Sequence, residues 1–315
     1  MSSVYTIIVT YNGMRNNWID KCLRSLKKSS YPTNIIVLDN NSSDETYRFI
    51  STHFEDVLLI KNDENKGFGG ANNQGIEIAL NNGADFIFLL NQDAYVEVDT
   101  IEQLVSKCSI SKDFGVLSPI HLNGNASALD YNFSLYITPN RCQNLYSDFL
   151  LNKVEDKIYE SDFICAAAWF LPKKTFEIVG GFSPTFFHYG EDNNYIHRLK
   201  YKGLKIGVVP NSRIFHDRAE RSKSEYDDKQ FVERKDLLIR ISNPNNSYDI
   251  NHFKKQTRIN YIRNFLLLKF DKIREINEKS HFIKKMEFTI EINNALSKSN
   301  EKFIHLNVNN DYPNS

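Results

Sequence analysis

Apolar and polar positions follow two rhythms along this chain, and the switches between them lay out its elements. Residues 4–10 (Val-Tyr-Thr-Ile-Ile-Val-Thr) are rich in β-branched side chains and read as a strand, closed by Tyr11-Asn12-Gly13. Residues 18–28 place Ile19, Cys22, Leu23 and Leu26 at helical spacing, and Tyr31-Pro32 breaks that helix. A second strand over residues 34–38 ends on Asp39. The turn-forming cluster Asn40-Asn41-Ser42-Ser43-Asp44 leads from it into a helix starting at Glu45. Residues 57–61 predict a third strand, followed by the glycine-rich loop Gly67-Phe68-Gly69-Gly70 and a helix over residues 71–81. The run Phe86-Ile87-Phe88-Leu89-Leu90 suits a strand buried on both faces, and it stops abruptly at Asn91-Gln92-Asp93. Strand and helix in this order predict an α/β fold on a mostly parallel, doubly wound sheet.

Further along, the rhythm blurs. Residues 116–159 mix aromatic and polar positions without a clean repeat, as a variable substrate-facing region would. Residues 163–172 read as a strand with small residues that permit close packing, and residues 174–179 as a short helix stopped by Gly180-Gly181-Phe182. Residues 193–202 predict a helix with Glu191 and Asp192 at its first turn. Residues 204–209 predict another strand, with His216 after Arg213-Ile214-Phe215. From about residue 222 the pattern turns to helices and polar linkers, broken at Asn243-Pro244-Asn245-Asn246. The expected layout is a main domain over residues 1–221 and a helical C-terminal region over residues 222–315. Within that region, residues 257–276 read as one basic amphipathic helix, suited to packing on the main domain or to an anionic membrane surface. The tail from Asn307 to Ser315 reads as disordered.

Composition narrows the class. An apolar share of 41% against 25% charged residues is ordinary for a globular protein with a sizeable core. Lys plus Arg and Asp plus Glu both number 39, so the basic excess of a nucleic-acid-binding protein is missing. Cys22, Cys108, Cys142 and Cys165 form no Cys-x-x-Cys pair, which argues for a reducing compartment and against a zinc site or disulfide framework. No signal-like leader and no apolar run of bilayer length are visible, so a cytoplasmic protein, free or at a membrane surface, is expected.

The chemistry gathers at strand ends. Asn12, Asp39 and Asp93 each follow a predicted strand, and open α/β sheets bind ligands beyond the carboxyl ends of their strands. A carboxylate at such a tip suits a hard divalent cation that in turn holds phosphate oxygens. The loop Gly67-Phe68-Gly69-Gly70 offers backbone N–H groups at a helix start, a setting for phosphate. It lacks a Gly-Lys-Ser/Thr ending and does not follow the first strand, which excludes a P-loop enzyme and a dinucleotide fingerprint. Glu191 and Asp192 suit either a helix cap or general-base work. His216 is the imidazole best placed to join Asp93 on a metal.

Taken together, Thr10-Tyr11-Asn12, Asp39-Asn40-Asn41-Ser42-Ser43-Asp44, Asn65-Lys66-Gly67-Phe68, Asn91-Gln92-Asp93-Ala94, Gly180-Gly181-Phe182, Glu191-Asp192 and His216 resemble the inverting family 2 glycosyltransferases with the GT-A fold. The resemblance covers roughly the first two thirds of the chain. Asn65, Gly67, Phe68 and Asn73 meet a pattern of the bacterial rhamnosyltransferase-like subgroup. It implies that Thr10, Tyr11, Asn12, Asp39, Asn41, Asn65, Gly67, Phe68, Asn73 and Asn91 contact the nucleotide of a dTDP- or UDP-linked sugar. Asp93 and His216 would hold Mg²⁺ or Mn²⁺. Asp192, with Glu191 beside it, would deprotonate a hydroxyl of a glycan or lipid-linked glycan in cell-surface polysaccharide synthesis. The same resemblance leaves a non-catalytic nucleotide-sugar binding protein as the alternative, with peripheral attachment to the inner face of the plasma membrane as a further expectation. Two positions depart from the pattern: Asn91 stands where an acid is usual, and Asn194 where an Asp is common.

Overall fold

The computed structural model of the protein describes residues 1–218 and 228–299. Strand β1 (Val4–Thr10), helix α1 (Trp18–Lys27), β2 (Asn34–Asp39), α2 (Thr46–His53), β3 (Leu58–Lys61), α3 (Gly67–Asn81) and β4 (Phe86–Leu90) come in the order expected. β1 pairs in parallel with β2 and with β4, and β2 pairs in parallel with β3, giving β3-β2-β1-β4. Parallel neighbours need crossover connections, and the amphipathic helices between them supply these. Because side chains alternate along a strand, Ile7 of β1 faces one core with Ile76 and Ala79 of α3. Ile8 faces the other core, with Leu23 of α1. The sheet is therefore covered on both sides.

The chain continues through β5 (Ala94–Val96), α4 (Thr100–Ile110), β6 (Phe114–Asn123), α5 (Tyr131–Tyr136), α6 (Leu145–Leu150), β7 (Tyr159–Ser161), β8 (Ala168–Pro172), α7 (Lys173–Val179), α8 (Glu191–Tyr201) and β9 (Lys205–His216). These strands extend the sheet in the order β4-β8-β6-β9-β5, with β7 also paired to β9. β8 runs antiparallel to β4 and β6, and β9 runs parallel to β6 but antiparallel to β5 and β7. The expected α/β sheet is thus parallel through its first four strands and mixed beyond them.

Five local expectations need correction. The stretch from residue 116, read as irregular, begins inside the long strand β6, whose Pro119 lies next to a register shift. Only the second half of residues 163–172 is strand, and the strand expected over residues 204–209 runs on to His216. α3 starts at Gly67 rather than residue 71. Residues 257–276 are not one helix: α10 (Ile250–Leu266) ends, Leu268 takes φ 55°, and α11 (Phe270–Lys298) begins. The two form a hairpin.

α9 (Lys229–Ile241), α10 and α11 make the C-terminal region helical, as expected. They dock rather than hang free: Leu238, Ile241, Ile250, Phe253, Ile283, Met286 and Ile290 share a core with Phe186. Buried Asn194 of α8 donates to Asn293 Oδ1 (3.1 Å) and to the Ser242 carbonyl (3.4 Å). Its own oxygen accepts from buried Arg198 (3.0 Å). Asn194 therefore joins α8 to the C-terminal helices. The residue-221 boundary and the tail from Asn307 lie outside the described residues. Among the described residues, no helix is long and apolar enough to cross a membrane.

Candidate active site

The ends of β1, β2 and β4 lie side by side, so the polar residues that close them meet. Gln92 ties two of these ends together. Its Oε1 accepts from Thr10 Oγ1 (2.6 Å) and the Tyr11 N–H (3.1 Å), and its Nε2 donates to the Tyr11 carbonyl (3.1 Å). The Tyr11 side chain stays 48% exposed, available to a flat ligand. Asn12, in the left-handed region (φ 51°), donates through its N–H to Ser42 Oγ and accepts from the Ser43 N–H (2.9 Å). Asp39 is fully buried. Its Oδ1 accepts from the Ser42 N–H (3.1 Å), whereas Oδ2 has no hydrogen-bond partner among the described residues. Such an oxygen is costly to bury, which makes it a natural acceptor for a ligand's donor. Asn41 sits exposed beside it, at φ 67°.

The next turn is built by Asn40, a residue the motif reading did not single out for a role. Its amide donates to Asn65 Oδ1 (2.7 Å) and accepts from Asn62 (3.2 Å) and the Lys66 N–H (3.0 Å). The Gly67 N–H already donates to Asn65 Oδ1 (2.9 Å) and the Phe68 N–H to the Phe187 carbonyl (3.2 Å). The expected phosphate cradle is therefore committed elsewhere at these two N–H groups. Gly67 has φ 69°, and a Cβ there would lie 2.1 Å from the Phe187 oxygen, so only glycine fits this close approach. Phe68 and Asn73, both expected at the nucleotide, are also engaged elsewhere. Phe68 packs edge-on against Phe182 (5.7 Å). Asn73 donates to the Phe182 carbonyl (2.9 Å) and accepts from its N–H (2.7 Å). Together they fasten α3 to the segment that leads to Glu191. Asn91 is half-buried and donates its N–H to the Ala167 carbonyl (2.9 Å), holding the end of β4 to its neighbour.

Cross-strand register explains the first acidic cluster. β5 starts at Ala94, paired with His216, so Asp93 arrives beside the end of β9. His216 Nε2 lies 3.5 Å from Asp93 Oδ1, and its Nδ1 lies 3.4 Å from Asp130 Oδ2, with all three side chains buried. Asp130 is new to the site. It caps α5 by accepting the Phe133 N–H (2.9 Å), and a capping Asp ahead of a short helix was its only sequence signal. Burial opposes ionisation of Asp130, but His216, the Phe133 N–H and Arg218 outweigh it and hold the acid down at about 2. Burial likewise opposes charging His216, and the flanking Asp93 and Asp130 reverse that and raise it. The cluster is arranged to hold charge.

The second acidic cluster sits at the start of α8. Tyr189 (φ 63°) and Gly190 (φ 97°) both take left-handed conformations, turning the chain so that the helix opens on Glu191. Glu191 is buried, and its Oε2 has no hydrogen-bond partner among the described residues. Burial and then the Asp192 charge push it up to about 8. Asp192 is half-buried and accepts from the Asn193 N–H (2.7 Å) and side chain (3.0 Å). Burial still raises it above the usual carboxylate range. Lys235 of α9 pulls both acids back down, so the C-terminal region contributes to the field here. No pattern in the sequence marks that lysine. Cys165 feels the charges of both Asp192 and Asp130, and Tyr136 those of Asp192 and Arg218.

Comparison with known proteins adds the family. The model of "Glycosyl transferase family 2" matches residues 5–171, just over half of the 315-residue chain. The dTDP-rhamnosyl transferase RfbF of Shigella flexneri is 23% identical over 222 residues, covering 70% of this chain and 71% of that one. The O-antigen chain rhamnosyltransferase WbaN of Salmonella anatum is 24% identical over 230 residues, 72% and 70% of the two chains. In structure, S. aureus TarS 1–349 in complex with UDP superposes with a TM-score of 0.51 at 16% identity, over 76% of this chain and 65% of that one. GalNAc-T7 with UDP, GalNAc and Mn²⁺ gives 0.52 at 17%, over 80% and 54%. This chain thus spans less than two thirds of either solved chain, and the likeness concerns the fold. With the family match laid over the strand-end motifs, the chain belongs to glycosyl transferase family 2 and is a glycosyltransferase of GT-A fold.

Proposed function

We propose that the enzyme is an inverting transferase. It moves a hexose-type sugar, rhamnose being the first candidate, from a dTDP- or UDP-linked donor to a hydroxyl of a glycan or lipid-linked glycan in bacterial cell-surface polysaccharide synthesis. The observation that carries this is the presence of two acidic clusters of opposite character, Asp93–His216–Asp130 and Glu191–Asp192, in one fold of this family. The rhamnosyltransferase relatives support the choice of sugar.

Tyr11, Asn12, Asp39 and Asn41 are the residues for the nucleoside, with Asp39 Oδ2 as its hydrogen-bond acceptor. Asp93 and His216 fit a divalent cation. They place a carboxylate and an imidazole together, and neither His216 nitrogen makes a well-formed hydrogen bond. No group of three or more side chains placed to hold one metal ion occurs among the described residues, so the donor's diphosphate and water would complete the coordination. When bound, Mg²⁺ or Mn²⁺ supplies positive charge for the departing diphosphate. Asp192 takes the proton from the acceptor hydroxyl as its oxygen bonds to the anomeric carbon. The bond to the diphosphate breaks on the opposite face, and its electron pair leaves on the phosphate oxygen. Glu191, pushed up by burial and by the Asp192 charge, favours its protonated form and so limits the negative charge beside the base. A lipid-linked acceptor would bring the enzyme to the inner face of the plasma membrane as a peripheral protein.

The test is donor hydrolysis over a panel of nucleotide sugars with Mn²⁺ or Mg²⁺. Slow turnover of one donor, stopped by a chelator, is the expected result. Tight nucleotide binding with no turnover of any donor, even with glycan acceptors present, would favour a non-catalytic nucleotide-sugar binding protein instead.

A further inference from the structure

Opposite ends of the α10–α11 hairpin differ in kind. At its root, Ile250, Phe253 and Ile283 are buried with Phe186 in the core that docks the C-terminal region. At its tip, Ile262, Phe265, Leu266, Leu267, Leu268 and Phe270 face solvent. Leu266 is 75% exposed, Leu268 70% and Phe270 64%. Single exposed apolar residues need no explanation, but six gathered on one turn do. The flanking charge is mostly of one sign: residues 250–275 contain Lys254, Lys255, Arg258, Arg263, Lys269, Lys272 and Arg274 against only Asp271 and Glu275. Lys254 pairs with Glu287 at the root, whereas Lys255, Arg258, Arg263 and Lys269 form no ion pair among the described residues.

From this we infer that the hairpin tip is a membrane anchor that enters an anionic phospholipid bilayer end-on, its apolar turn among the acyl chains and its cations at the headgroups. Charge complementarity selects this occupant. Two copies meeting tip to tip would bring like charges together, whereas a phosphatidylglycerol surface attracts each cation. Apolar insertion and headgroup attraction together bind a peripheral segment reversibly, which neither term achieves alone. The inference is independent of the transferase chemistry, since none of these residues belongs to the nucleotide or acid clusters.

Flotation of the full-length protein with phosphatidylcholine vesicles, with and without phosphatidylglycerol, tests it. Light scattering of the free protein accompanies the assay. The wild type is expected to float only with phosphatidylglycerol vesicles and to be released by salt. Arg258→Glu and Arg263→Glu should each weaken binding at least about fivefold. Leu266→Asp with Leu268→Asp should abolish it, leaving hydrolysis of a soluble donor and the melting temperature unchanged, because both side chains are exposed. Binding that ignores phosphatidylglycerol, or survives the Leu266→Asp and Leu268→Asp pair, would overturn the inference. So would a wild-type dimer that the same pair dissociates, which would assign the tip to a second copy of the chain.

Discussion

Two buried acid clusters close the sheet, and their surroundings push them in opposite directions. In the Asp93–His216–Asp130 cluster an imidazole between two carboxylates keeps Asp130 well below the ordinary carboxylate range and raises its own affinity for a proton. In the Glu191–Asp192 cluster the two acids are neighbours in sequence, both are raised, and the cation that opposes this is Lys235 on another helix. The same side-chain type therefore serves two tasks. A carboxylate held ionised attracts a cation, and a carboxylate raised toward neutrality is a better proton acceptor. Sequence places an Asp in each cluster. Only the fold supplies the partners that set them apart.

The largest expected effect is on the second cluster. Asp192→Asn should lower transfer by about 10²–10⁴-fold, measured as product formation at saturating donor. An equal loss of nucleotide affinity would erase the distinction between the clusters. The first cluster should respond through its positioning residue. Asp130→Asn leaves His216 without the carboxylate at its Nδ1 and is expected to weaken Mn²⁺ binding about 10–100-fold, read by electron paramagnetic resonance of the free ion. Unchanged Mn²⁺ affinity would reduce Asp130 to a helix cap.

A third variant lies between the nucleotide motifs and the second cluster. Asn73→Ala removes both hydrogen bonds to the Phe182 backbone and should cost about 1–3 kcal/mol of stability by urea denaturation. Nucleotide affinity per folded molecule should be retained. The smallest effect is the pH dependence of stability. Glu191 binds its proton more tightly folded than unfolded, so its contribution is complete below the unfolded value and is lost as pH rises through its raised folded value. The wild type should therefore lose stability from about pH 5 to about pH 8. Glu191→Gln should flatten that slope in thermal melts, and an unaltered slope would mean that the pair does not carry it.

Much of this was legible before the fold was known. The apolar runs and the polar residues that end them predicted β1, β2 and β4 because a parallel strand must be apolar along its length and polar where it stops. Asp93 and His216 were paired by motif, and the register Ala94↔His216 supplies the reason. What stayed hidden depends on contacts distant in sequence. Asp130 reaches His216 because the turn after β6 brings it back alongside His121, whose carbonyl accepts the Asp130 N–H (2.9 Å). Asn73 belongs to the nucleotide motif, and an amide in a motif does not reveal that it also clamps the Phe182 backbone. Gly67 reads as loop by composition, yet it opens α3, at a point where the Phe187 carbonyl leaves no room for a side chain. Asn194, at a position where an acid is common, is fully buried in the joint with Asn293 and Ser242. The hairpin turn at Leu267-Leu268-Lys269 has no glycine or proline to announce it, so two helices read as one.

The division of labour between the clusters is tested most directly by calorimetric titration of dTDP and UDP, with and without Mn²⁺, into the wild type, Asp93→Asn and Asp192→Asn. The account predicts that Mn²⁺ strengthens binding of the preferred nucleotide in the wild type and in Asp192→Asn, and that Asp93→Asn loses this enhancement. Equal Mn²⁺ enhancement in all three proteins, or its loss in Asp192→Asn alone, would contradict it.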